Sequence, residues 1–231
     1  GGSTTLNASV GFANTPTYCA SIHALGCNIG DEIQRVQLNT LDNSSGCSVG
    51  AYTYYNGGGP QTTTLLAGSF YILTVNVGAD NNQFASAWID YNQDGSFSST
   101  DEYLGISFFG GSNSILNIPF SVPSTLVYNC KTRLRIIGGN DIPVLNSQSC
   151  GASSHGFGET EDYDINIIGG TNNPAIISMW TENPSIGTIT NPNVSQTTAT
   201  GITSTTQYTY TGTSSSGCTV VGSVNVTVVP T

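Results

Sequence analysis

Ser69-Phe70-Tyr71-Ile72-Leu73-Thr74-Val75-Asn76-Val77 is the stretch that sets the fold class. Leu73, Val75 and Val77 recur at every second position with Thr74 and Asn76 between them, and a β-strand sends successive side chains to opposite faces. The stretch therefore reads as a strand with one apolar and one hydrated face. Ser114 to Phe120, Thr132 to Ile137 and Tyr163 to Ile168 repeat the pattern, each closed off by Gly, Asn or Ser. Gly30 to Val36 has the only helical look, and it runs directly into Gln37-Leu38-Asn39, so it too reads as strand. Short alternating strands at this spacing predict an all-β chain built as a β-sandwich.

Gly169-Gly170-Thr171-Asn172-Asn173-Pro174 cannot continue a strand and marks a boundary. The expected organisation is an N-terminal extension at 1–16, a β-sandwich at 17–168, a linker at 169–174 and a second β domain at 175–231. This last segment reads as immunoglobulin-like, with Trp180 as a core aromatic. It falls short of the roughly 100 residues and seven strands of a full immunoglobulin sandwich, so a strand is expected to be missing. Leu6, Ala8, Val10 and Phe12 alternate on one face of the extension and make it a candidate donor strand. Inserted into a neighbouring subunit, it would fill the gap, and a head-to-tail contact that does not close on itself builds a fibre. Pairing within its own chain is the competing expectation.

Trp88-Ile89-Asp90-Tyr91-Asn92-Gln93-Asp94-Gly95-Ser96-Phe97 carries the clearest chemistry. Asp90, Asn92 and Asp94 stand at loop positions one, three and five before a glycine, the spacing by which a metal loop offers oxygens to calcium. Asp101 occupies position twelve, with Glu102 beside it. Because strand-like sequence precedes the loop and a Ser-rich run follows it, a Ca2+ loop between strands is expected.

The chain has 231 residues, with 4 basic against 14 acidic side chains and a net charge of −10. Nucleic acid is excluded as a partner, since phosphate binding needs a basic stripe and Lys131, Arg133 and Arg135 make up one short strand face. Those three read as a solvated face or as counter-charges to nearby carboxylates. No apolar run is long enough to span a membrane. Six cysteines without a zinc-type pair argue for disulfides and an extracellular or cell-surface location. Cys130 with Cys150 is the expected first bridge, followed by Cys19 with Cys27 or Cys47. The chain reads as a mature form or as a piece of a longer protein.

Gly158-Glu159-Thr160-Glu161-Asp162-Tyr163, taken with the 88–95 loop, Tyr18-Cys19 and Thr132-Arg133-Leu134-Arg135, resembles the GEVED domain over roughly residues 17 to 168. Thr160 replaces the usual Val. The family occurs in large secreted and surface proteins, mostly of Bacteroidota, often beside immunoglobulin-like repeats. The resemblance implies an extracellular β-sandwich with a calcium-type loop and no established catalysis. In strand geometry Glu159, Glu161 and Tyr163 share one face, and Asp162 and Asp164 share the other. Asp162 or Glu161 is therefore expected to add a ligand to the loop, with a salt bridge to Arg133 or Arg135 as the equal alternative.

Catalytic signals are weak. Gly46-Cys47-Ser48-Val49-Gly50 matches a nucleophile elbow literally, but it lies in a Ser/Gly loop without the required strand-turn-helix context. His23 and His155 read as surface residues. Tyr52, Tyr54, Tyr55, Phe108 and Phe109 could stack on sugars. The sequence thus predicts a non-enzymatic, calcium-stabilised subunit of a surface fibre or adhesin that self-associates. The alternative is a glycan-binding accessory module of a larger secreted enzyme.

Overall fold

The computed structural model describes residues 2–7, 12–13, 16–21, 23–125, 130–139, 141–150, 156–169, 177–213 and 219–228. In chain order, β1 (Gly2–Asn7) and β2 (Phe12–Ala13) come first. They are followed by β3 (Ile33–Leu38), β4 (Leu41–Ser44), β5 (Tyr52–Tyr55), β6 (Thr64–Leu66), β7 (Phe70–Val77), β8 (Ala85–Ile89), β9 (Tyr103–Ile106), β10 (Ile115–Ser121), β11 (Cys130–Gly138) and β12 (Glu159–Ile168). The last five are β13 (Ile177–Asn183), β14 (Thr188–Ile189), β15 (Gln196–Ile202), β16 (Thr206–Thr213) and β17 (Thr219–Val226). The expected all-β sandwich class is what the chain adopts, and Gly30 to Val36 does lead into a strand. The strands form two compact units, Thr15–Asn172 and Gly1–Asn14 with Asn173–Thr231.

The larger unit is a sandwich. One sheet has the order β10-β7-β3-β4, and the other runs from β9 through β8 and β11 to β12. β12 then takes β5 and β6 alongside it in parallel. In β7, Leu73, Val75 and Val77 face inward while Phe70 and Ile72 stay exposed, so the outer face of this sheet meets solvent as antiparallel sheets commonly do. The inward side chains meet Ala85, Ala87, Ile89, Leu134, Ile136, Tyr163, Ile165 and Ile167 from the second sheet in one core.

The second sheet is covered on both faces. β8 is buried at all of Ala85, Ser86, Ala87, Trp88 and Ile89, because Trp88 packs outward under Phe97, Ile137 and Val144 in a separate cluster. β12 is buried from Glu159 through Ile165. A strand that carries four carboxylates is thus enclosed, and its charges must be answered by the protein.

Two disulfides pin the covering loops, Cys19–Cys150 and Cys27–Cys47. This corrects the expected pairing: Cys150 bonds Cys19 instead of Cys130, and Cys47 bonds Cys27. Residues distant in sequence meet at Cα separations of 5.6 and 5.4 Å, which spacing along the chain does not reveal. The side chain of Cys130, Cys218 and His155 lie outside the described residues.

The smaller unit places β1-β15-β14 in one sheet and β13-β16-β17 in another. Leu6, Ala199 and Ile202 from the first meet Trp180, Tyr208 and Tyr210 from the second. β1 is therefore not a free strand. It pairs antiparallel with β15 of its own chain, Thr5 opposite Thr198 and Leu6 opposite Thr197. Burying Leu6 offers a stabilisation that a solvated strand would forgo, about 1.5–3 kcal/mol. Ala8, Val10 and the side chain of Phe12 lie outside the described residues.

Candidate cation loop and its buried charge cluster

The connection from β8 to β9 carries the predicted metal loop. Ile89 donates its N–H to Glu102 O at 2.9 Å and Asp90 donates its N–H to Arg133 O at 3.0 Å, so both ends are fixed to the sheet. The Thr132 hydroxyl donates to Asp90 O. Asp90 is fully buried. Its Oδ2 accepts from the Tyr18 hydroxyl at 2.7 Å and from Gly95 N–H at 3.1 Å, while its Oδ1 has no hydrogen-bond partner.

The remaining oxygens crowd the same loop. Asn92 Oδ1 accepts from Asp94 N–H at 2.9 Å, and Asp94 Oδ1 accepts from the Ser96 N–H and hydroxyl at 2.8 and 2.7 Å. Glu102 turns inward, its Oε1 and Oε2 accepting from the N–H groups of Asn92 and Ser98 at 3.1 and 2.7 Å. Asp101, at the formal twelfth position, is exposed. Gly95 has φ +85°, and a Cβ there would meet Pro16 at 2.9 Å, so both conformation and space demand glycine.

Burial is the first cause holding the Asp90 and Glu102 carboxyls above their ordinary range, and the negative charges of the neighbouring loop carboxylates add to it. The Ser96 hydroxyl leads the hydrogen bonds that pull Asp94 below it. The donor set is entirely oxygen, which suits a hard cation, and Asp90 Oδ1 is an unfilled valence within it. Among the described residues no three His, Cys, Asp or Glu side chains close on a single point. Calcium held here would be carried by Asp90, Asn92, Asp94 and Glu102.

Asp162 is not part of that set. Arg135 stands opposite it in the β11–β12 register and grips it with Nε to Oδ1 at 2.7 Å and Nη2 to Oδ2 at 2.8 Å. Arg133 Nη1 and the Tyr52 hydroxyl complete Oδ2 at 3.2 and 2.9 Å. Asp164 is answered by Lys131 at 2.9 Å and Arg133 at 3.4 Å, and by the Tyr54 hydroxyl at 2.8 Å. The strand parity read from sequence is realised, but this face of β12 holds arginines instead of a metal. The fourth basic side chain, Arg35, pairs with Asp42 at 2.6 Å on the surface.

The opposite face of β12 points into the core. Glu159 accepts from the N–H groups of Ile33 and Ser48 at 2.9 and 2.8 Å and from the Ser48 hydroxyl at 2.6 Å. Glu161 takes the Tyr163 hydroxyl at 2.6 Å and that of Tyr55 at 3.3 Å, and burial pushes its carboxyl up to about 7. Like Asp162, it is committed away from the loop.

Residues 84–166 match the GEVED domain. The GEVED stretch starts one residue ahead of β8 and ends within β12. It encloses the cation loop, the two buried arginines and Gly158 to Tyr163, and it is narrower than the 17–168 span that the motifs suggested. No curated protein matches the chain. Among solved structures, dimeric latent PorU from Porphyromonas gingivalis is similar at 10% identity and a TM-score of 0.31, over 86% of this chain. The chain spans 24% of that protein's length.

Other sequence candidates resolve into structure. Ser48 serves Glu159, and its neighbour Cys47 is bridged. His23 is buried, not a surface residue, with Nε2 2.9 Å from Thr160 Oγ1 and Nδ1 3.3 Å from Phe157 O. Tyr52, Tyr54 and Tyr55 turn their hydroxyls onto Asp162, Asp164 and Glu161, and Arg133 covers the Tyr54 ring at 3.7 Å. Tyr54 stays exposed beside this contact, and Phe108 and Phe109 are exposed as well. Sequence reasoning placed Tyr18 in the family resemblance without a part in the loop, yet it joins Asp90 to the ring of Phe97 and to Arg133, at centroid distances of 5.2 and 4.4 Å. No signal in a single sequence marks such a bridge.

Proposed function

We propose that the chain is a non-enzymatic structural module of a secreted or cell-surface protein, stiffened by calcium bound in the loop at Asp90, Asn92, Asp94 and Glu102. The buried, unpartnered Oδ1 of Asp90 carries this reading. A bound ion would satisfy that oxygen and relieve the repulsion among the Asp90, Asp94 and Glu102 carboxylates. The two disulfides support an oxidising compartment, and among the described residues no helix is long and apolar enough to cross a membrane.

Ligand binding to the folded state alone stabilises it by about 2.7 kcal/mol at a hundredfold excess over the dissociation constant. Chelation of the purified chain should therefore lower its melting temperature, and Asp90→Asn should blunt the response. An unchanged melting temperature after chelation rejects the clamp.

The same reading extends to assembly by exchange of β1 between copies. β1 is an edge strand with one neighbour, and a second copy's residues 2–7 could make the same register with β15. Electron micrographs of the intact chain and of a chain lacking residues 1–12 test this. Filaments that persist after the deletion remove strand exchange.

A further inference from the structure

Away from the 90–102 loop, Asp31 and Gln83 each bury an oxygen that has no hydrogen-bond partner. Asp31, two residues before β3, is fully buried, with Oδ1 3.5 Å from Gln83 Nε2 and Oδ2 without any hydrogen bond. Gln83 is equally buried. Its Nε2 also reaches Asn81 O at 3.4 Å, and its Oε1 has no partner either. Leaving one such acceptor buried and unsatisfied carries the full desolvation penalty of the group, and more when it is charged. Here two of them belong to side chains in contact.

The surroundings are acidic. Asp80, Asp141 and Glu32 all act on Asp31, and burial together with Asp80 pushes its carboxyl up to about 6. No lysine or arginine answers them, because all four basic side chains are spent on Asp42, Asp162 and Asp164. The backbone is tied closely around this point. Asp80 donates its N–H to Gly30 O at 3.0 Å and Gly78 to Glu32 O at 2.9 Å. Gly139, at φ +72°, lies so close to Asp31 that any Cβ would collide with the Asp31 backbone.

We propose that Asp31 Oδ2 and Gln83 Oε1 form a second cation site, taking a hard divalent ion of the calcium class, with Asp80, Asp141 and Glu32 supplying charge around it. Calcium accepts amide and carboxylate oxygens together with water, about six to eight in all. Asp31 and Gln83 would supply two of these oxygens and water the rest, and among the described residues no three acidic groups converge. Such a site is weak, in the roughly 10⁻⁴ to 10⁻³ M class of extracellular modules. It would join the start of β3 to the turn between β7 and β8, and hence one sheet of the sandwich to the other. The rival occupant is a proton, held on Asp31 and donated to Gln83 Oε1.

Calcium chloride is titrated calorimetrically into the full chain, stripped of metal, at pH 7.5. The expected result is two ions per chain for the wild type, and one each for Asp31→Asn, Gln83→Met and Asp90→Asn. If Asp31→Asn does not fold, Gln83→Met carries the test. Stoichiometry unchanged by both substitutions overturns the site. A single wild-type ion lost with Asp90→Asn also overturns it and leaves the loop clamp standing. A single ion lost with Asp31→Asn and kept in Asp90→Asn supports this site and rejects the clamp.

Discussion

Replacing Arg135 by methionine would keep most of its aliphatic volume and remove a guanidinium that has no exposure to solvent. Five hydrogen bonds go with it: two to Asp162, one to Ser149 O at 2.8 Å, one to Cys19 O at 2.9 Å and one to Cys19 Sγ at 3.2 Å. The stacking of the guanidinium over Phe97, at 4.8 Å, is lost as well. Asp162 would remain at full burial with Arg133 and Tyr52 as remaining partners. Removing one member of a buried ion pair costs about 3–5 kcal/mol, most of it the penalty on the abandoned charge. Arg133 offsets some of that, and the two carbonyls robbed of a charged donor add to it, so about 4 kcal/mol is expected. Arg35→Met, which breaks the surface pair with Asp42, should cost far less, because both partners stay solvated. Adding Asp162→Asn to Arg135→Met should recover part of the loss, because no charge is then stranded. Urea unfolding of the disulfide-intact chain measures these values. Trp88 and Trp180 are the only tryptophans and lie in different units, so Trp180→Phe leaves Trp88 to report on the larger one. A loss below about 1 kcal/mol for Arg135→Met, the size of a surface pair, would refute the view that this pair holds the outer face together.

The carboxyl of Glu161 sits at about 7 in the folded state against an ordinary value of 4.5, so the folded chain binds the extra proton between those values. Its contribution is full below 4.5 and is lost as pH rises through 7. At about 1.4 kcal/mol per pKa unit, the ceiling is about 3 kcal/mol. Urea midpoints across this range should fall more steeply for wild type than for Glu161→Gln, and parallel profiles would contradict the assignment. Leu6→Ala should destabilise the smaller unit by about 2–5 kcal/mol, read at Trp180 with Trp88 unmoved. A change confined to Trp88 would mean that β1 does not stabilise the smaller unit.

How much was legible depended on the range of the interaction. β7 and β10 declared themselves because each has one wet face, and period two follows from that alone. β8 shows burial at every position, since Phe97 and Val144 cover the face that would otherwise be polar. The parity of Glu159 to Asp164 correctly separated two faces of a strand. Which face would meet arginines could not be read, because it depends on the register of Arg135 with Asp162 across strands. The loop spacing placed Asp90, Asn92 and Asp94 together, yet put Asp101 where Glu102 actually turns inward. Alternation in residues 1–12 announced a strand without naming its partner, 190 or so positions away in β15. Asp31 and Gln83 carry no local pattern and come together only through the turn that brings Gln83 back to β3.

The pairing of β1 with β15 also fixes an order of events. Domains tend to fold as units while the chain is being made, N-terminal parts first. Here residues 15–172 contain a complete core of their own, whereas Leu6 has no core to enter until Ala199, Ile202, Tyr208 and Tyr210 exist. A strand made before the larger unit is thus obliged to wait for strands made after it. During that interval it is an uncommitted edge, and the sandwich of residues 15–172 can mature and close its disulfides without it.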